Sequence, residues 1–388
     1  MKKTTTTTAL GEVVDLIMGQ APPSKDCNFD RKGIPFVKVG EFGEIRPVIR
    51  EWTTNPLRMA RRTDVLLCVV GATCGKINLG EECAIGRSVA AIRPHSAKLD
   101  QFYLCYFMTT LVEQLRSGSV GAAQTVISKD MVQSVQIPLP ALPEQKRIVG
   151  ILDETFERIA IAKANAEKNL QNARALFEGY LQSVFAQHGK GWMEKRLDEV
   201  CTFSSGGTPS KNKTSYWSGK IPWISGRDMK STRLSDSQLH ISQSAVDESA
   251  THVAPAGTLL VLVRGMGLAH GAQIAELVAP CAFNQDIRAI QPESDLIPRY
   301  LLFALRDRIN ASDTALSNAA HGTLKIDSNE LQSLKIPIPP HQYQQRIVAT
   351  IDSLAEKTKH LESIYQQKLT MLEELKMSML HKAFNGKL

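Results

Sequence analysis

Ile137-Pro138-Leu139-Pro140-Ala141-Leu142-Pro143-Glu144-Gln145-Lys146-Arg147-Ile148-Val149 leads into a long helical pattern that runs to about Phe185, and the chain then repeats the same passage. The second copy reads Ile336-Pro337-Ile338-Pro339-Pro340-His341-Gln342-Tyr343-Gln344-Gln345-Arg346-Ile347-Val348 and continues to about Phe384. At an offset of 199 residues, 11 of the 27 positions in 127–153 and 326–352 agree, among them Ile137/Ile336, Gln145/Gln344, Arg147/Arg346 and Asp153/Asp352. An internal repeat on this scale dictates architecture before local propensity does.

Each copy begins with prolines, which lack the backbone donor and push their predecessors to extended geometry, so the helix starts after them. Beyond that point Ile347, Ile351, Leu354, Thr358, Leu361, Tyr365, Lys368, Leu372, Leu375 and Met379 alternate in steps of four and three. The first copy gives Ile148, Leu152, Thr155, Ile159, Ala162, Ala166, Asn169, Ala173, Leu176 and Tyr180. This is a heptad seam, and a long helix with one apolar stripe needs a partner. The Ala-rich first seam suits the Leu/Ile-rich second. The expected interface is therefore Ile148, Leu152, Ile159 and Leu176 against Ile347, Ile351, Leu354, Leu361, Leu372 and Leu375. Two separate core helices are the plainer alternative, but helices of roughly 40 residues exceed the usual 10–14.

The repeat extends into the rest of the chain. Ile34-Pro35-Phe36-Val37 parallels Ile221-Pro222-Trp223-Ile224, and Asp64 to Gly71 parallels Thr258 to Gly265. Ala84 to Pro94 parallels Ala282 to Pro292. These anchors are apolar and strand-like, whereas the polar, Gly-rich stretches between them differ. Common strands with divergent loops place recognition in the loops. The spacing predicts an α+β fold with strands dominant: a first strand-rich domain over 1–140, a helix over 141–188, a second domain over 189–339 and a second helix over 340–388.

Hydrophobic residues make up 43% and charged residues 22%, ordinary for a globular chain. The net charge of +7 is mild; it is compatible with a polyanionic partner without requiring one. No apolar run reaches membrane-spanning length, Met1-Lys2-Lys3 with its Thr run lacks a signal-peptide core, and the seven Cys form no CxxC. Reduced thiols in a cytoplasmic protein are the expectation.

A strand-rich unit, an Ile-Pro-Leu-Pro…Glu-Gln-Lys-Arg-Ile-Val passage and a long helix, all occurring twice, resemble the specificity subunit of type I restriction-modification enzymes. The resemblance covers essentially the whole chain. It implies two target-recognition domains separated by two long antiparallel coiled-coil helices in a pseudo-two-fold arrangement. It further implies a DNA-binding, non-catalytic subunit that reads a bipartite, asymmetric double-stranded DNA target in a phage-defence system. Two modification subunits would supply DNA adenine methylation, and restriction/translocase subunits would add cleavage. No cofactor belongs to this chain; S-adenosylmethionine, ATP and magnesium would sit on the partners. One departure is Pro340-His341-Gln342-Tyr343 where the first copy has Ala141-Leu142-Pro143-Glu144, which is expected to alter the second helix cap. The alternative function is an orphan coiled-coil adaptor or inhibitor that binds protein.

Gly71-Ala72-Thr73-Cys74-Gly75-Lys76 looks like a phosphate loop but is one residue short and continues with Ile77. His270, His321 and His341 are scattered, and no metal is expected. The DNA-contact candidates are basic groups in the divergent loops, since Lys and Arg hold phosphates and Arg, Asn and Gln read bases. They are Lys25, Lys38, Arg58, Arg61, Arg62, Lys76 and Arg87 in the first domain, with Lys211, Lys213, Arg227, Lys230, Arg233, Arg264 and Arg288 in the second. Arg58, Arg61 and Arg62 form the densest cluster. For each of them a solvated surface charge is the competing reading. Tyr216, Trp217 and Trp223 are better placed in a core than at a DNA face.

Overall fold

The structure, a computed structural model, describes residues 6–117, 126–186, 191–311, 316–318 and 324–388. The chain divides into two compact units: Met1–Lys168 with Tyr365–Leu388, and Asn169–Ile364. The long helices span Leu142–Ala186 and His341–Phe384, so the division runs through both helices and gives each unit one end of each.

Strand Val65–Cys68 shows how the first unit is built. All four of its residues are buried. Alternation sends Val65 and Leu67 into one core and Leu66 and Cys68 into another, which is why the strand reads as an unbroken apolar run. It pairs antiparallel with Val89–Pro94 and Ile77–Leu79, and Val89–Pro94 pairs in turn with Val14–Met18. A second sheet has the order Cys27–Asn28, Glu51–Thr53, Ile34–Val37, Cys83–Ile85, Met59–Ala60, with Ile34–Val37 and Cys83–Ile85 parallel. Val37, Leu66, Cys68, Ile85 and Val89 fill the core that joins residues of the two sheets. Against the other face of the first sheet lie helix Gln101–Thr110 and the helix ends, through Tyr103, Phe107, Ile148, Leu152, Leu380 and Phe384. Phe384 meets the rings of Tyr103 and Phe107 edge-on at 5.0 and 5.2 Å.

The second unit repeats this with one strand more in the first sheet and one fewer in the second. Cys201–Ser205, Ile287–Pro292, Leu259–Leu262, Ile274–Leu277 and Arg233–Leu234 form one sheet. Leu239–Ile241, Ile221–Ile224, Cys281–Phe283 and Val253–Ala254 form the other. Phe185 packs on Tyr300 at 5.7 Å, as Phe384 does on Tyr103 in the first unit. Tyr216 and Trp223 are 6% and 5% exposed, so both are core residues.

The repeated glutamine now has a physical explanation. Gln145 is fully buried; its Oε1 accepts from Asp100 N–H at 2.8 Å, and its Nε2 donates to the Lys98 and Pro140 carbonyls, both at 2.8 Å. Gln344 does the same with Ile297 N–H (2.9 Å) and the Asp295 (3.1 Å) and Pro339 (3.0 Å) carbonyls. An amide offers both acceptor and donors, so one side chain ties the first helical turn to the loop before the short helix and to the proline strand. Tyr103 and Tyr300 reinforce this by donating to the Pro138 and Pro337 carbonyls. The altered cap sequence has no effect on the start: Gln145 N–H bonds Ala141 O at 3.1 Å, and Gln344 N–H bonds Pro340 O at 3.2 Å.

In unit 1 the beginning of the first helix runs antiparallel to the end of the second. Lys163 pairs with Glu373 at 2.6 Å, and Arg147 donates to the Leu388 carbonyl at 3.0 Å. In unit 2 Arg174 pairs with Glu362 at 2.7 Å. The heptad seam needs correction in its later half. Ile148, Leu152, Ile159 and Ile351 are buried, and Ile347, Leu354 and Leu372 are half-buried. Leu176, Leu361 and Leu375, by contrast, are 71%, 40% and 45% exposed. Phe177 is buried in place of Leu176, and Asn169 and Lys368 are exposed. An α-helix has 3.6 residues per turn, so its inner face drifts by about 20° per heptad away from a strict repeat of seven. In both copies one row of the seam stays inside (Ile159, Ala166 and Ala173; Thr358, Tyr365 and Leu372), and the other turns outward and is replaced by the next residue along.

Candidate nucleic-acid interface

Strand register decides which cations share a surface. In unit 1, Val37 lies opposite Ile85 in a parallel pair, and Met59 lies opposite Ala84 in an antiparallel pair. Lys38, Arg58 and Arg87 therefore leave the second sheet at the same end. The Ile85 N–H donates to Arg58 O and the Gly86 N–H to Val37 O, both at 2.9 Å. Arg58 and Arg87 are exposed, with no side-chain partner among the described residues. Lys38 is engaged by Glu51, whose hydrogen bond holds the lysine above its ordinary pKa.

Arg61 and Arg62 leave at the opposite end, so the densest sequence cluster is not one patch. Extended chain rises about 3.3 Å per residue, which separates Arg58 from Arg62 by roughly 13 Å. Arg62 is drawn to Glu81 at 3.6 Å, and its N–H donates to Glu82. Lys76 closes the Gly71–Lys76 turn, where Gly71 and Gly75 have φ of 92° and 89°; its ammonium donates to the Phe42 carbonyl at 2.9 Å. That lysine fastens a neighbouring loop. Lys25 is exposed on a short 3-10 turn.

Sequence reading missed the Asn28–Gly33 turn. Asn28 Oδ1 accepts from the Asp30 and Lys32 N–H groups at 3.1 and 3.0 Å, and its Nδ2 donates to Lys32 O at 2.9 Å. This leaves Phe29 76% exposed and Arg31 at φ 61° with its guanidinium 5.7 Å from the Trp52 ring centre. The signal available was the turn chemistry: an Asx residue followed by a Gly whose Cβ would lie 2.2 Å from Thr53 O.

In unit 2 the same pairings recur, Ile224 opposite Phe283 and Val253 opposite Ala282. The positions of Lys38, Arg58 and Arg87 are taken by Ser225, His252 and Gln285. Gln285 is exposed and accepts from the Thr208 hydroxyl. His252 Nε2 lies 3.0 Å from Ser204 Oγ, with the ring edge-on to Phe283. None of these three was singled out from sequence, because only the pairing reveals that they occupy one sheet end. Glycine makes the common geometry possible. A Cβ on Gly19 would stand 2.2 Å from Gly86 O, and one on Gly206 2.2 Å from Asn284 O, so each lies against the loop that carries Arg87 or Gln285.

Of the other expected cations, Arg227, Lys211, Lys230 and Arg264 are exposed without side-chain partners among the described residues. Lys213 donates to Glu248 at 2.6 Å and to the Tyr216 hydroxyl at 3.0 Å; the Glu248 bond raises its pKa. Arg233 lies 3.6 Å from Glu276, and Arg288 donates to Ser328 Oγ at 3.0 Å. Among the described residues no group of three or more His, Cys, Asp and Glu stands where a metal could be held.

The scaffold with its two divergent sheet ends matches a known family in both halves. Residues 2–172 and 189–371 each match the type I restriction modification DNA specificity domain. The chain belongs to this family. The specificity subunit of the Escherichia coli type I restriction enzyme EcoR124I/EcoR124II is 32% identical over 257 residues, which cover 64% of this chain and 62% of that relative. The chain thus spans less than two thirds of that relative's length. A solved chain from work on complex assembly and conformational transition of the type I R-M system superimposes with a TM-score of 0.82, at 21% identity over 99% of this chain and 98% of that one. The HsdS subunit from Thermoanaerobacter tengcongensis gives 0.62, also at 21% identity, over 99% of this chain and 97% of that one. These two likenesses establish the fold. In the two specificity domains of this chain, what differs is the chemistry at the sheet end: two exposed arginines and a lysine in one, a hydroxyl, an imidazole and an amide in the other.

Proposed function

We propose that the chain is the DNA-recognition subunit of a type I restriction-modification complex and that each specificity domain reads one half of an asymmetric, bipartite duplex target. The observation that carries this is one scaffold present twice with different recognition groups at the same place. Arg58 and Arg87 suit phosphate or guanine, and Gln285 suits adenine. Catalysis belongs to the partners: two modification subunits with S-adenosylmethionine, and restriction subunits with ATP and magnesium. The complex works in the cytoplasm, where its DNA is; no described helix is long and apolar enough to cross a membrane. The buried glutamine clamps fix each domain to its helices, so helix length sets the unread gap between half-sites. Inserting about four residues lengthens a helix by roughly 6 Å, and base pairs rise about 3.4 Å, so the gap should grow by one or two base pairs. The test is DNA footprinting and methylation mapping of the assembled complex. Protection of two separated half-sites supports the reading; binding to protein without any DNA footprint would favour an adaptor instead.

A further inference from the structure

The ion pairs between the long helices carry information about partner choice. Lys163 pairs with Glu373 in unit 1, and Arg174 pairs with Glu362 in unit 2. At the repeat offset of 199, Lys163 corresponds to Glu362 and Arg174 to Glu373. The two pairs are thus images of one another with the charges inverted: both cations sit on the first helix and both anions on the second. Were two copies of the first helix to pair in the same antiparallel way, Lys163 would face Arg174 of the other copy. Two copies of the second helix would set Glu362 against Glu373. Every attractive contact becomes a like-charge contact.

Side-chain size follows the same rule. Ala162, Ala166 and Ala173 on the first helix correspond to Leu361, Tyr365 and Leu372 on the second. Ala166 and Ala173 are buried, and Tyr365 and Leu372 are half-buried. Self-pairing of the first helix would set alanine against alanine and leave gaps, and self-pairing of the second would crowd large residues. Flanking charges are a known means of setting partner and orientation in paired helices, and specificity is sharpest when the wrong partner is actively repelled.

We propose that Lys163, Arg174, Glu362 and Glu373 direct each long helix to its unlike partner and exclude pairing of like helices from two copies. This matters for a repeat protein in particular, because two helices built on one plan invite pairing of like with like between chains. Exposed pairs are individually weak, so the selection rests on the contrast between opposite and like charge rather than on the strength of either pair.

Swapping one pair separates selection from stability. In full-length chain carrying Arg174→Glu with Glu362→Lys, both intrachain pairs survive, yet self-pairing now also brings opposite charges together. Swapping both pairs, by adding Lys163→Glu with Glu373→Lys, restores the like-charge clash. Two differently tagged copies are co-expressed, one tag is captured, and the other is quantified, with the mass of the captured species measured by light scattering. The one-pair swap is expected to raise cross-capture roughly ten-fold over the natural chain. The two-pair swap is expected to match the natural chain. Should the first variant fold poorly, Lys163→Glu with Glu373→Lys alone carries the same prediction. Cross-capture that does not rise in a one-pair swap, or that rises equally in the two-pair swap, would overturn the proposal.

Discussion

The two units share a backbone plan and differ in how they treat the same positions. In unit 1 Arg93 on the central strand makes a two-point ion pair with Asp64, at 2.9 Å in both bonds, and Asp64 is fully buried. In unit 2 the corresponding Thr258 and Gln291 make a neutral hydrogen bond at 2.5 Å. At the sheet end the contrast recurs, with Arg58 and Arg87 against His252 and Gln285. A scaffold tolerates such exchange where each polar group keeps a partner or meets water, and the clamps that set the geometry are left unchanged. The units thus diverge in charge and agree in shape.

The largest expected effect tests the interior part of this contrast. Asp64→Ala leaves the Arg93 guanidinium unpaired in a largely buried site and should destabilise the protein by about 3–5 kcal/mol. Thr258→Val in unit 2 removes one neutral bond and should cost about 1 kcal/mol. Denaturant unfolding of the two variants would show the difference; equal losses would mean that the ion pair is no more demanding than its neutral counterpart. The clamps should respond alike. Gln145→Ala and Gln344→Ala each strand several buried backbone groups, and each should cost about 2–4 kcal/mol. A loss confined to one of them would break the equivalence of the two helix starts.

At the surface the units should part again. Replacing Arg58 and Arg87 by Ala should flatten the salt dependence of DNA binding by about two phosphate contacts. Replacing His252 and Gln285 by Ala should leave the salt slope unchanged and relax base preference. The smallest effect concerns pH. The Lys163 hydrogen bond holds Glu373 below the ordinary glutamate value of 4.5. A depressed carboxylate contributes stability above its unfolded value and loses it as pH falls through the folded one. Thermal melts of the natural chain and of Lys163→Met should therefore differ slightly at pH 6 and converge in acid below the folded Glu373 value; a gap that persists there would assign the effect to packing by the lysine stem.

Much of this was legible in the sequence. The strands Ile34–Val37, Val65–Cys68, Ile221–Ile224 and Leu259–Leu262 coincide with the apolar anchors, because burial on both faces leaves a continuous apolar run. The helices were plain from the proline boundary and the periodicity. One row of their inner face, with Ala166, Ala173, Tyr365 and Leu372, was legible throughout, and the other only near its start, since the 3.6-residue turn carried Leu176 and Leu375 outward. The candidate recognition surface was least legible. Lys38, Arg58 and Arg87 are brought together by strand pairs that join distant stretches, and Arg61, adjacent in sequence, is carried to the other end. His252 and Gln285 carry no local signal and acquire meaning only through their register.

The most direct measurement is target selection from a randomised DNA library by the chain assembled with the proposed modification subunits. It compares the natural chain with the variant carrying both His252→Ala and Gln285→Ala. If each domain reads its own half, the variant loses base preference in one half-site and keeps the other half-site and the gap between them unchanged. Loss of preference in both halves, or in neither, would contradict independent reading by the two sheet ends.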